Sequence, residues 1–236
     1  MKRALCIATL LLAAQPARAG LDSSLATDGW RSIAFPGLAP LAIMQDGETG
    51  LRVEGQGGIA VAYQPMRVPI GPNTCLAWRW RVDQGPPPTD LTRSSGADRG
   101  LALWVGFEPD AERMGLLQRY LMGIASMSSG RRMVPGFILL YVHGGTGKEP
   151  PWHRSPLTGG LGRAMVLAPA GTALGQWLEH EVPLAQHFRA AFGIAPTGFV
   201  TELAIGADGD DTGAAIAARV GEIRFRPCGV SAEAKR

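Results

Sequence analysis

Hydrophobic and polar residues alternate with a period of two in ten short segments, each bounded by Gly, Pro or Asx turn residues. They are GWRSIAF (29–35), LRVEG (51–55), GIAVAY (58–63), LAWRWRV (76–82) and LALWVGF (101–107). FILLYVH (137–143), RAMVLA (163–168), QWLEHEV (176–182), FVTELAIG (199–206) and RVGEIRF (219–225) follow. Successive side chains of a strand point to opposite faces, so this alternation marks strands with one buried face. Ten such segments predict an all-β fold, a single β-sandwich of jelly-roll type. The strands do not alternate regularly with long helices, which disfavours an α/β sheet, and no fixed-period repeat points to a propeller or solenoid.

A helical period occurs twice. Residues 109–126 place Met114, Leu117, Leu121 and Ile124 on one face, and residues 184–192 place Leu184, Phe188 and Phe192 in a stripe. The second helix should stop at Gly193, which tolerates the left-handed conformation, and Pro196 prevents its continuation. Both are expected to be short covers over the sandwich. No shift in composition marks an internal boundary, so residues 20–229 are expected to form one domain, with Val230–Arg236 a disordered tail.

Residues 1–19 read differently from the rest. Lys2 and Arg3 precede an apolar run from Leu5 to Ala14, and Ala17-Arg18-Ala19 makes an A-x-A cleavage signal. This is the pattern of a cleaved export signal, and its apolar run is too short for a spanning helix. No Cys follows the cleavage point to take a lipid anchor. The expectation is an exported protein, periplasmic or secreted, with no transmembrane segment in the mature chain. Charge changes meaning accordingly. The whole chain has 23 basic and 20 acidic residues; the leader takes Lys2, Arg3 and Arg18 and no acid, leaving 20 against 20. Nucleic-acid binding needs a concentrated basic surplus, and the mature chain has none.

Three cysteines become two once Cys6 leaves with the leader. An even count in an oxidising compartment suggests that Cys75 and Cys228, each at the edge of a strand segment, are bonded. Several apparent catalytic motifs fail on spacing. GGTGKEP (144–150) has Glu149 where a phosphate loop needs Ser or Thr, and GGLGRAM (159–165) precedes a strand instead of following one. His180-Glu181 meets Leu184 and Pro183 where a zinc-protease helix needs its second His. No G-x-S-x-G elbow occurs.

Four constellations remain. In LAWRWRV, Leu76, Trp78, Trp80 and Val82 share one face and Arg79 and Arg81 the other; guanidinium forks there could hold a carboxylate or acidic sugar. DGDDT (208–212) gathers Asp208, Asp210 and Asp211 in a turn, oxygen chemistry suited to calcium although not an EF-hand. Tyr141, His143, Trp152 and His153 lie in or beside a Pro-rich loop, where aromatic rings could stack on sugars. Glu179 and Glu181 alternate on one strand face at roughly 7 Å, a separation compatible with glycoside chemistry. Each also has an ordinary structural reading, as core face, capped turn, packed loop or solvated pair.

The ordered set L-A-W-R-W-R-V, A-D-R-G-L-A-L-W-V-G-F, L-G-Q-W-L-E-H-E-V, H-F-R-A-A-F-G, D-G-D-D-T and G-E-I-R-F resembles the exported bacterial proteins grouped as domain of unknown function 3047. The likeness runs from about Trp30 to Phe225. It implies a secreted β-sandwich similar to galactose-binding jelly rolls, with no established activity. Trp78, Trp80, Trp177, Gly193, Asp208, Asp210 and Thr212 stand at family motif positions, and Asp211 stands where relatives usually carry Asn. Before LALWVGF, relatives tend to show two adjacent acids and a later Arg; here Asp98 keeps one acid, with Ala97 and Ala102 in the other places. Asp98 therefore joins the candidate ligand residues. The functional expectation is a non-catalytic binder of a glycan or envelope polymer. The alternatives are an assembly partner of another envelope protein and, less favoured, a glycan hydrolase or lyase; no cofactor other than calcium is suggested.

Overall fold

The computed structural model describes residues 20–110, 112, 114–116, 119, 120, 135–158 and 160–229, without the Leu157 side chain. The expected leader and tail, and most of the helix expected at 109–126, lie outside the described residues. Two sheets form a sandwich. The first has six strands in the order β1 (Gly20–Leu21), β3 (Ala42–Asp46), β4 (Gly50–Gln56), β13 (Ala215–Pro227), β6 (Thr74–Gln84) and β11 (Leu178–Pro183). The second has seven: β2 (Arg31–Ile33), β5 (Ile59–Pro69), β12 (Phe199–Asp208), β7 (Arg99–Phe107), β8 (Phe137–Gly144), β10 (Gly162–Ala168) and β9 (His153–Arg154). Two helices are described, α1 (Ser23–Thr27) and α2 (Leu184–Phe192).

All ten expected strands are present, and the jelly-roll-type sandwich follows from their alternation. β6 shows the pattern plainly: Leu76, Trp78, Trp80 and Val82 are buried, while Arg79, Arg81 and Asp83 face outward, half-buried. β7 departs from it, because all nine residues are buried. Its inner side chains Leu101, Leu103, Val105 and Phe107 belong to the inter-sheet core. Its outer ones, Ala102 and Trp104, lie under Leu91 and Ala97 of the preceding loop. A strand covered on both faces becomes apolar throughout. β1, β3, β9 and α1 were not foreseen; the strands among them have two to five residues, too few for a period to show.

One side of the sandwich is closed by rings. Trp78 contacts Trp80 at 5.5 Å and Tyr141 at 5.3 Å, His180 lies 5.1 and 5.0 Å from the two indoles, and His143 lies 6.1 Å from Trp80. α2 caps the adjoining edge, with Phe188 at 4.8 Å from Phe107 and 5.2 Å from Phe137. It ends at Gly193 with φ 75°, as its sequence requires.

Cys75 at the start of β6 and Cys228 just beyond β13 form a disulfide, with Cα atoms 4.9 Å apart and a sequence separation of 153. Closing so long a loop in the unfolded chain stabilises the fold by about 5 kcal/mol on the chain-entropy account. We expect the native protein to take up no alkylating reagent at either cysteine by mass spectrometry, and to take up two equivalents after denaturing reduction. The Cys75→Ser/Cys228→Ser variant should lose about 2–5 kcal/mol in chemical denaturation.

Candidate functional site

The other side of the sandwich stays open. Along the second half of β5, Met66 and Val68 face inward yet remain only half-buried. Opposite them, β13 breaks its pairing with β6 between Gly221 and Arg224, and Glu222 adopts φ 56°. That is a costly conformation for a residue with a side chain. The bulge sends Glu222 outward, where its carboxylate lies 3.0 Å from Arg79 and 2.9 Å from Arg224. It also leaves Ile223 and Phe225 on the wall of a groove, a use of bulges common beside binding sites.

This groove has a volume of about 560 Å³. Trp30, Met66, Val68, Leu203, Ile223 and Phe225 supply its apolar surface, and Asp28, Gln45, Glu48, Gln64 and Arg224 its polar rim. The β3–β4 turn holds Gln45 in place: its Nε2 donates to the carbonyls of Gly47 and Glu48, both at 3.0 Å. Its Oε1 is buried without a hydrogen-bond partner among the described residues. Gln64 is fixed by donating to the Asp28 carbonyl at 2.9 Å. A concave apolar surface with a few fixed polar groups is the usual form of a small-ligand site.

The residues singled out from sequence are distributed over several places. Arg79 and Arg81 lie on the outward face of the first sheet. Arg79 is 4.6 Å over the exposed Trp177 ring, and Arg81 pairs with Asp83 at 2.6 Å. Register places Arg52, Arg219 and Arg81 side by side on β4, β13 and β6. Each has a carboxylate nearby, Arg52 with Glu54 at 3.3 Å and Arg219 with Asp46 at 4.0 Å. Glu179 and Glu181 face outward on β11, opposite Arg79 and Ala77. Glu181 is held by the Gly229 N–H and Arg226, which lower its pKa below the usual carboxylate value.

Tyr141 is buried in the inter-sheet core, and His143, also buried, lies at the floor of a smaller groove of about 340 Å³ lined by Val82, Pro86 and Leu174. The Tyr141 hydroxyl meets His187 Nδ1 at 3.1 Å. Trp152, in a left-handed conformation at φ 58°, packs inward on Tyr141 and His187 at 5.9 and 5.2 Å. His153 is buried, its Nδ1 3.1 Å from the Pro150 carbonyl. The Pro-rich loop thus plugs the sandwich, because its rings find apolar partners inside.

Asp98 is buried and clamps the 208–213 turn: its Oδ2 accepts from Thr212 N at 2.8 Å and Thr212 Oγ1 at 2.5 Å. Asp208 Oδ2 accepts from Arg99 Nη2 at 2.7 Å. Burial, and then Asp210, raise the Asp208 pKa to about 7 against the pull of Arg99. Carboxylate oxygens of Asp98, Asp208 and Asp210 lie within 4.8 Å of one another. Asp211 turns away, its Oδ2 accepting from Gly96 N at 2.6 Å. The sequence reading named Asp98 and the Asp208 turn separately; nothing in the spacing of residues 98 and 208 signals that they meet. The groove residues are not among the ligand candidates read from sequence: Gln45 and Gln64 belong to no motif, and Phe225 stands there only as the last residue of the G-E-I-R-F strand.

A family model described as a protein of unknown function (DUF3047) matches residues 28–224. No curated protein matches the sequence. Among solved structures, the xyloglucanase domain of NopAA, a type three effector from Sinorhizobium fredii in complex with cellobiose, is 9% identical with a TM-score of 0.46. It aligns over 85% of this chain and 94% of its own. A non-crystalline-cellulose-specific carbohydrate-binding module, CBM28, is 12% identical with a TM-score of 0.39, over 85% and 88%. An arabinose-bound α-L-arabinofuranosidase is 13% identical with a TM-score of 0.32, over 87% of this chain and 24% of that one. These overlaps are too loose to transfer a ligand or an activity.

Burial lowers the pKa values of His143, His180 and His187. An imidazole more acidic when folded than its unfolded value of about 6.5 supports the fold above that pH, and the support is lost as pH falls. Asp208 works in the opposite direction below about 7, so the difference between variants is the clean readout. His180→Phe keeps a ring against the two indoles and removes one titration. Relative to wild type, its melting temperature should rise between pH 8 and pH 5.5; a difference that does not change with pH would contradict the assignment.

Proposed function

This chain belongs to the DUF3047 family, and we propose that it is an exported, non-catalytic glycan-binding protein whose ligand lies in the groove between β5, β13 and the β3–β4 turn. The groove itself carries the reading. A sugar ring has an apolar C–H face and a rim of hydroxyls. Phe225, Met66 and Ile223 offer a surface for the first, and Gln45, Gln64, Glu48 and Asp28 offer acceptors and donors for the second. Because the turn already fixes Gln45 and the helix end fixes Gln64, little side-chain freedom is lost on binding.

Export is supported by the disulfide, and no helix among the described residues is long and apolar enough to cross a membrane. The non-catalytic part of the proposal is supported by Glu179 and Glu181. The pair proposed for acid–base chemistry lies on the outward face of β11, away from the groove, with Glu181 engaged by Arg226 and Gly229. A second reading is favoured by one observation, the adjacent row of Arg52, Arg219 and Arg81 on the face where Arg79 stacks on the exposed Trp177. Exposed ion pairs are cheap to exchange, so that face could take an acidic polymer.

Calorimetric titration with neutral oligosaccharides and with a polyuronate separates these readings. Under the groove reading, a neutral oligosaccharide binds, and Phe225→Ala weakens it about tenfold by removing roughly 1–2 kcal/mol of ring contact. Arg81→Ala leaves that affinity unchanged. Salt-sensitive binding of the polyuronate alone, lost in Arg81→Ala and kept in Phe225→Ala, would transfer the function to the outer face. Absence of any binding at millimolar sugar, with one dominant partner in native cross-linking, would replace both with a protein-partner role.

A further inference from the structure

We infer that a hard divalent cation, calcium foremost, binds between Asp98, Asp208 and Asp210, at the junction of the β7 entry and the 208–213 turn. Two oxygens on one ion can be no farther apart than twice the metal–oxygen distance, about 4.6–5.2 Å for calcium and about 4.0–4.2 Å for magnesium. Oxygens from the three carboxylates lie within 4.8 Å of one another, inside the reach of calcium. The composition points the same way: three carboxyl groups gather around one guanidinium, Arg99, at a place where Asp98 is 0% and Asp208 4% exposed.

A separate observation marks a missing partner. Asp208 gives Oδ2 to Arg99, while its Oδ1 is buried with no hydrogen-bond partner among the described residues. Buried carboxylate oxygens are rarely left so, and the side chains that reach Asp208 there are Arg99, on Oδ2, and the carboxyl of Asp210, itself a proposed ligand. Asp98 is already oriented by Thr212, and the turn carrying Asp210 is tied to the 96 loop through Asp211 and Gly96. Such outer hydrogen bonds are how proteins aim metal ligands. The turn read from sequence as Asp208, Asp210 and Asp211 therefore supplies two ligands, and Asp98, from the loop just before β7, takes the place of Asp211. The site is independent of the groove and of what the groove binds.

The test is a titration of the full-length, oxidised protein after stripping with EDTA, read by calorimetry and by melting temperature. Calcium should bind once per chain and raise the melting temperature by about 5–10 °C at a hundred times its dissociation constant; magnesium should do less. Asp210→Asn, at a half-buried position that does not threaten the fold, should abolish both the heat and the rise, and Glu179→Gln, on the outward face of β11, should keep both. Either of two results overturns the inference. The first is no heat and no melting shift with millimolar calcium, which would leave a proton shared by Asp208 and Asp210 as the buried partner. The second is a full calcium response in Asp210→Asn.

Discussion

The indoles of Trp78 and Trp80, packed with the imidazole of His180 on one sheet, meet Tyr141 and His143 on the other, and the rest of the sandwich is built outward from that contact. Large rings fill the inter-sheet space at this side, and α2 and Trp152 close over them. Several of their nitrogens, including Trp78 Nε1, Trp80 Nε1, His143 Nε2 and His180 Nε2, have no hydrogen-bond partner among the described residues. Edge-to-face ring contacts of the kind seen between Trp80 and His180 give N–H groups a π face as a weak partner. Burial also keeps the imidazoles neutral, so that neither repels the other across the core.

Because this side is filled, the open side is where ligand chemistry can occur. The strained Glu222 turns β13 at the point where the sheets would otherwise close, and the β3–β4 turn spends its backbone carbonyls on Gln45. The result is half-buried Met66, Val68 and Phe225 beneath a polar rim. Backbone strain of about 1–3 kcal/mol at a single residue persists only when its surroundings hold it. Here the Arg79 and Arg224 guanidiniums hold the Glu222 carboxylate on the far face. The outer charged face and the inner groove are thus two sides of one bulge.

Much of the fold was legible in the sequence, because a two-residue period needs only a few residues to declare itself. LAWRWRV announced β6 and its inward tryptophans, and the paired cysteines at strand edges announced the disulfide. Elements of two to five residues, such as β9 and α1, carry too little pattern. The site was far less legible. Tyr141, His143 and Trp152 carry the chemistry of sugar binders, yet apolar partners draw them inside. Gln45, Gln64 and Phe225 are unremarkable by type and come together only through the topology, with β13 paired between β4 and β6. Asp98 and Asp208 illustrate the same limit, since only the register of β7 on β12 brings them together.

The central claim is that a ligand enters at the open side while the ring-packed side stays sealed. The chain has six tryptophans, at 30, 78, 80, 104, 152 and 177, so their indole N–H signals in a proton–nitrogen correlation spectrum survey the molecule directly. On titration with a neutral oligosaccharide, the account predicts that the Trp30 signal moves in proportion to occupancy while those of Trp78, Trp80 and Trp152 hold still. Movement of Trp177 alone, or of the buried Trp78 and Trp80 with Trp30 unmoved, would contradict it.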